Sequence, residues 1–165
     1  MKRFICAVFL LFAAIAVQGN IPNGFSFLGA KPDLVLVVLV LYSLGSDPIV
    51  AAVMGLVAGV VEGFAVGTSL GSFAFTRMLT GLVAGFCSVH LFSENLLVPA
   101  ATACLLTALC EGTFLLANPQ VATHNAWQVI LGESVLNGCV TALVYGFTRI
   151  ADRRRKVRLI DARIY

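Results

Sequence analysis

Charge is what this chain has least of. Lys, Arg, Asp and Glu make up 12 % of its 165 residues, against about 25 % in an ordinary soluble domain. That shortage excludes a conventional water-facing surface. The net charge of +3 carries little information, because the charges are segregated. Nine of the eleven basic residues are Lys2, Arg3, Arg149 and the cluster Arg153, Arg154, Arg155, Lys156, Arg158 and Arg163. Such a distribution is a membrane-topology signal and not a nucleic-acid footprint. Histidine is nearly absent: His90 falls near a helix end and His124 in a loop, and neither has partners at metal-ligand spacing. Cys6, Cys87, Cys104, Cys110 and Cys139 lie in apolar stretches without ligand spacing, so they read as small packing residues. There is no Walker-type phosphate loop and no Gly-x-Ser-x-Gly elbow. These gaps argue against an enzyme and give no catalytic, metal or cofactor site. Low-complexity runs and long linkers are missing too, which leaves one domain as the expectation.

What the chain has in excess is apolar residues, 59 % of the total with a mean hydropathy of +0.97. Six hydrophobic segments are expected, at 4–21, 33–46, 48–66, 71–92, 96–117 and 126–149. A crossing helix needs about 20 residues, so the second segment is short; the FSFLGA stretch before it lengthens it, or it tilts. Loop chemistry separates the segments: Gly19–Gly24, Ser46-Asp47-Pro48, Gly67-Thr68-Ser69, Ser93-Glu94-Asn95 and Asn118-Pro119. Six spans place both ends on one side, and basic residues at both ends make that side cytoplasmic. The fold class is therefore an all-α integral membrane protein, with a six-helix transmembrane domain at 1–149 and a basic cytoplasmic tail at 150–165. Trp127 suits an interfacial aromatic, and the tail suits a positive-inside anchor at the lipid bilayer, no nucleic acid being implied. The opening MKRFICAVFLLFAAIA also has the form of a cleavable signal peptide; cleavage would leave five spans.

Glycine is plentiful and periodic. Gly55, Gly59, Gly63, Gly67 and Gly71 recur every four residues. An interior glycine costs a soluble helix about 1 kcal/mol relative to alanine. In lipid, small residues instead let helix backbones touch. Gly55, Gly59 and Gly63 are expected to form a packing face against the next helix, where Gly81 and Gly85 form its counterpart. Gly67 and Gly71 are expected in the turn between the two.

Four charges fall inside spans: Glu62, Arg77, Glu111 and Glu133. Intramembrane charges are costly and mark functional candidates. Glu62 lies seven residues before Ser69 and Arg77 eight after it, so both sit roughly 10–12 Å below the turn. Each shares its helix's glycine face. An ion pair, direct or bridged by water, is expected across the seam. Glu111 and Glu133 lie eleven residues either side of Ala122, which puts all four charges in the outer half of the bundle. Three carboxylates then oppose one guanidinium. Either a water-filled outward cavity solvates the surplus or one carboxyl carries a proton. Lys31 and His124 border the same side. Unrelated polar contacts between helices explain the same residues.

The order of features resembles a known family. After a short first span comes Lys31-Pro32-Asp33, followed by LVLVVLVLYSLG, and then GLVAGVVEGFAVGTSLGSFAFTRMLTGLVAGF. A Pro-Asp opening an aliphatic second span, then a glycine-rich third span closing in Gly-x-x-Leu-Gly, resembles the bacterial rod shape-determining MreD family. The resemblance is specific from Lys31 to Phe86 and generic beyond. Members commonly carry Asp at the position of Gly63, whereas this chain has Glu62 one residue earlier, so no role passes to Gly63.

The resemblance implies a non-catalytic, multi-pass subunit of the cytoplasmic (inner) membrane that works in cell elongation and peptidoglycan synthesis. The partners it implies are an MreC-like bitopic protein, MreB filaments, and RodA with its penicillin-binding partner. It also implies a fold similar to the substrate-binding subunits of energy-coupling-factor transporters. That opens an alternative function, a vitamin or metabolite transporter subunit with Glu62, Arg77, Glu111 and Glu133 lining its site. Such subunits often dock through an Ala-x-x-x-Ala face on the first helix, which this first span lacks. A small channel or ion-coupled carrier is a third reading.

Overall fold

The structure is a computed structural model that describes residues 2–22, 24, 26–91, 97–122 and 124–164, with side chains described up to residue 150 except at residues 2 and 88–91. It is all-helical. Six α-helices follow in order: α1 (Lys2–Gln18), α2 (Leu34–Ser43), α3 (Pro48–Val66), α4 (Leu70–Leu91), α5 (Leu97–Ala117) and α6 (Ala126–Ile164), with a 3-10 turn at Pro119–Val121. Among the described residues four stretches are long and apolar enough to cross a membrane: Pro48–Val66, Leu70–Cys87, Leu97–Ala117 and Ala126–Ile150. Arg3–Gln18 and Leu34–Ser43 are shorter apolar helices. The expected turn at Ser93–Asn95 and the side chain of His90 lie outside the described residues.

α2 is the axis of the bundle: α1, α3, α4, α5 and α6 all pack against it. One side of α2, through Val35 and Leu39, joins Ala7, Leu11 and Ala14 of α1 and Met54 and Ala58 of α3. Its other side, through Leu36 and Val40, joins Ala84 of α4 and Ala103, Leu106 and Cys110 of α5. Large apolar side chains point outward, among them Phe9, Phe64, Leu105, Leu143 and Phe147. An apolar exterior around a packed interior suits lipid as the surrounding solvent.

The ten residues of α2 span only about 15 Å, half of a hydrocarbon core of about 30 Å. FSFLGA does not lengthen it as helix. Phe27 and Ala30 exchange backbone hydrogen bonds at 2.9 and 3.0 Å, closing a two-residue turn with Leu28 at φ 53° and Gly29 at φ 82°. Non-helical backbone at membrane depth survives only where its polar groups find partners inside the protein. Here the Asp33 N–H donates to Asn137 Oδ1 of α6 at 2.7 Å and the Leu34 N–H to Gln18 Oε1 of α1 at 3.1 Å. Gly132 of α6 lets the turn approach, since a Cβ there would overlap the Phe27 carbonyl.

α3 and α4 form the closest pair. A Cβ at Gly55 would overlap the Arg77 carbonyl, one at Gly59 the Phe73 carbonyl, and one at Gly81 the Ala51 carbonyl. At Gly63 it would lie 2.8 Å from Leu70 Cα and at Gly85 2.6 Å from Pro48 Cα. The obstacles are backbone atoms, so no side chain can step aside. Gly67 has a different task, ending α3 in the left-handed conformation with φ 75°. Gly71 sits in the first turn of α4 facing open space.

The sixth helix does not stop near residue 149. It continues through the basic segment to Ile164. No glycine or proline follows Gly146, and the Arg, Lys, Leu and Ala residues there are good helix formers.

Candidate functional site

Arg77 lies seven residues into α4, and its side chain is 3 % exposed. It is placed there by the seam. With Gly55 against the Arg77 backbone, the guanidinium has only the interior to enter. Four of its five N–H donors make hydrogen bonds, and the fifth faces a carboxylate. Nε donates to Glu62 Oε2 at 2.8 Å and Nη2 to Glu62 Oε1 at 3.1 Å. The second Nη2 hydrogen goes to Asp33 Oδ2. Nη1 donates to the Cys110 sulfur at 2.8 Å and lies 3.6 Å from Glu111 Oε1. One cation therefore ties α4 to α3, α2 and α5.

Asp33 is the second hub. It is 3 % exposed and caps α2, Oδ1 accepting from the Leu36 N–H at 3.0 Å. Asn137, which accepts from the Asp33 N–H, donates through Nδ2 to Thr107 Oγ1 of α5 at 3.2 Å. Thr107 in turn donates to the Ala103 carbonyl at 2.8 Å. Through these bonds α6 joins the network, which then touches five of the six helices. Glu133 completes the cluster. One of its carboxylate oxygens lies within 4.8 Å of one from Asp33 and one from Glu111, and those two are as close to each other.

The structure thus brings Glu62, Arg77, Glu111 and Glu133 together, as a coherent group and not as scattered contacts. Glu62 and Arg77 meet directly, without a bridging water. Glu111 and Glu133 are half-buried at the edge of the group. Lys31 takes no part, its ammonium donating to the Ile21 carbonyl at 2.9 Å, and His124 is exposed. Two members do not stand out in the sequence. In the sequence Asp33 only opens a helix and Cys110 is only a small apolar residue; in the structure the Cys110 sulfur accepts a hydrogen bond from the guanidinium. The one signal for Asp33 is that it opens a segment too short to cross, and shortness alone does not fix its depth.

Chemically the group is a clamp. Three carboxylates, Asp33, Glu62 and Glu111, meet one guanidinium, with Glu133 beside two of them, and Glu62 meets it in the fork geometry that fixes orientation as well as charge. Breaking such a buried pair from one side costs about 3–5 kcal/mol, because the other charge is left uncompensated.

Comparison with known proteins identifies one family. The model of the rod shape-determining protein MreD family matches residues 1–150. No curated protein and no solved structure matches significantly.

Proposed function

This chain belongs to the rod shape-determining protein MreD family, a multi-pass membrane family that acts in cell shape, and from that premise we propose that it is a non-catalytic scaffold of the cell-elongation machinery. The family match over residues 1–150 carries the reading. In it the chain binds an MreC-like bitopic protein and, through it, bridges MreB filaments to RodA and its penicillin-binding partner. The clamp around Arg77 supports a scaffold, because a network joining five helices holds the outer surfaces of the bundle in fixed relation. Basic residues at both ends support cytoplasmic termini in the inner membrane. The clamp would then lie in the periplasmic half of the bundle.

Depletion of the protein in its own rod-shaped cell tests the reading. Rounding of the cells, reversed by the wild-type chain and not by Arg77→Met, is expected. Normal rods after depletion, with loss of uptake of a vitamin or metabolite, would favour the transporter-subunit alternative instead.

A further inference from the structure

We propose that the groove between α1 and α6 is a docking site for one transmembrane helix of a partner protein, a helix that carries a Lys or Arg in its outer half. The outer helices form an open ring around α2. α1 packs on α3, α3 on α4, α4 on α5 and α5 on α6, yet among the described residues α6 and α1 do not touch. Both lie against α2, so the opening leads to its surface. Val35 and Leu39 serve the core shared with α1 and α3, and Leu36 and Val40 the core shared with α4 and α5. At about 100° per residue, Leu34 and Leu41 share the remaining side of α2. Both are half-buried, and Leu41 enters neither core.

α6 supplies the polar feature of the groove. Its Gly138 faces Ala100 of α5, and its Asn137 faces Asp33 of α2. Glu133, Leu136 and Val140 are turned from Asn137 by about 40–100° in the direction away from α5, and all three are half-buried. Glu133 lies seven residues after Ala126, where α6 begins, and so roughly 10 Å below the start of the span. Its closest charged neighbours are two further carboxylates, Asp33 and Glu111. Among the described residues no hydrogen bond or ion pair reaches it.

Charge and backbone decide the occupant. Acyl chains in the groove would leave the Glu133 carboxylate facing hydrocarbon, which is costly. They would also lie against the non-helical turn at Phe27–Ala30, which rests on Gly132 beside Glu133 and whose backbone lipid cannot satisfy. Water would solvate Glu133 but would wet Leu41, Leu136 and Val140 below it. A second copy, meeting the first by the same surface, would add carboxylates to a cluster that already has four against one guanidinium. A helix with an apolar face and one basic side chain meets both demands: it covers Leu41, Leu136 and Val140 and brings a second cation to Glu133. The inference rests on the scaffold reading for the existence of a membrane-spanning partner, and adds where that partner sits and what it carries.

The test uses the full-length protein in phosphatidylcholine nanodiscs and single-span Leu/Ala peptides that lack tryptophan and carry a dansyl group at the outer end. Trp127, the single tryptophan of the chain, lies six residues before Glu133 and is the energy donor. Saturable transfer is expected with a peptide bearing Lys about seven residues from its outer end, and about tenfold weaker binding with Leu in that place. Glu133→Gln is expected to remove the preference, and Val140→Phe, which fills the groove, to weaken both peptides about tenfold. Absence of binding overturns the proposal, as does equal binding of the two peptides by the wild type or an undiminished preference in Glu133→Gln. In a Trp127→Phe/Val140→Trp variant, brominated acyl chains report lipid in the groove, and saturating Lys peptide is expected to relieve their quenching. Unrelieved quenching overturns the proposal in favour of lipid. A dimer of the protein alone that Val140→Phe dissociates overturns it in favour of a second copy. Cell rounding on depletion is independent of all these readouts, so the scaffold reading and the groove fail separately.

Discussion

Arg77 holds Glu62 by two hydrogen bonds, at 2.8 and 3.1 Å, across the glycine seam between α3 and α4. The same guanidinium also serves Asp33, Cys110 and Glu111. Charge exchange is therefore a misleading test of the pair. Glu62→Arg combined with Arg77→Glu would place a new carboxylate beside Asp33 and Glu111, and the double variant is expected to be no more stable than Arg77→Met. A cycle of Glu62→Gln, Arg77→Met and their combination is the fair test. Arg77→Met alone is expected to cost about 3–5 kcal/mol, with a coupling to Glu62 of about 1–3 kcal/mol. Thermal unfolding in mild detergent reads both, and additive effects would contradict the pair.

The seam makes glycines unequal. Gly59→Ala meets the Phe73 carbonyl and must push α3 from α4; a loss of about 1–3 kcal/mol is expected from overpacking. Gly71→Ala enters open space at the start of α4. It is expected to be neutral or to stabilise by up to about 1 kcal/mol through helix propensity. Equal melting temperatures for the two variants would count against the seam.

Asp33 serves as both cap and counter-ion. Asparagine caps a helix about as well as aspartate, so Asp33→Asn removes the charge and keeps the cap. Asp33→Ala removes both and is expected to be less stable than Asp33→Asn by about 1 kcal/mol. Indistinguishable unfolding of the two would show that the cap contributes nothing.

Thr141 is fully buried, and among the described residues its hydroxyl has no hydrogen-bond partner. Valine has nearly the same shape without the hydroxyl. Thr141→Val is expected to raise stability by about 1 kcal/mol, since a buried unpaired hydroxyl costs roughly 1–3 kcal/mol. A lower melting temperature would mean that the hydroxyl has a partner when the protein is in its membrane.

Much of this was legible in the chain. Four-residue glycine spacing and counting from the Gly67 turn are local operations on two adjacent helices, and they were enough to set Glu62 against Arg77. Asp33 is not legible in this way, because the shortness of the second segment is equally met by a longer helix through FSFLGA or by tilt, and neither fixes the depth of its first acid. Only the ten-residue length of α2, with its non-helical approach held by Gln18 and Asn137, sets Asp33 at the depth of Arg77. The role of Gly132 was equally hidden, since its obstacle is the Phe27 carbonyl from more than a hundred residues earlier. Helix periodicity says which residues share a face. It does not say which of several distant faces converge, and the clamp is a convergence of five.

The scaffold proposed above requires an MreC-like partner. Isolation of the full-length protein from its own membranes in mild detergent, with identification of what co-elutes, tests that claim most directly. Recovery of a bitopic, MreC-like protein with a periplasmic coiled coil is expected, retained by the wild type and lost with Arg77→Met at matched expression. Recovery of an ATPase module, or of a bound vitamin, would contradict it.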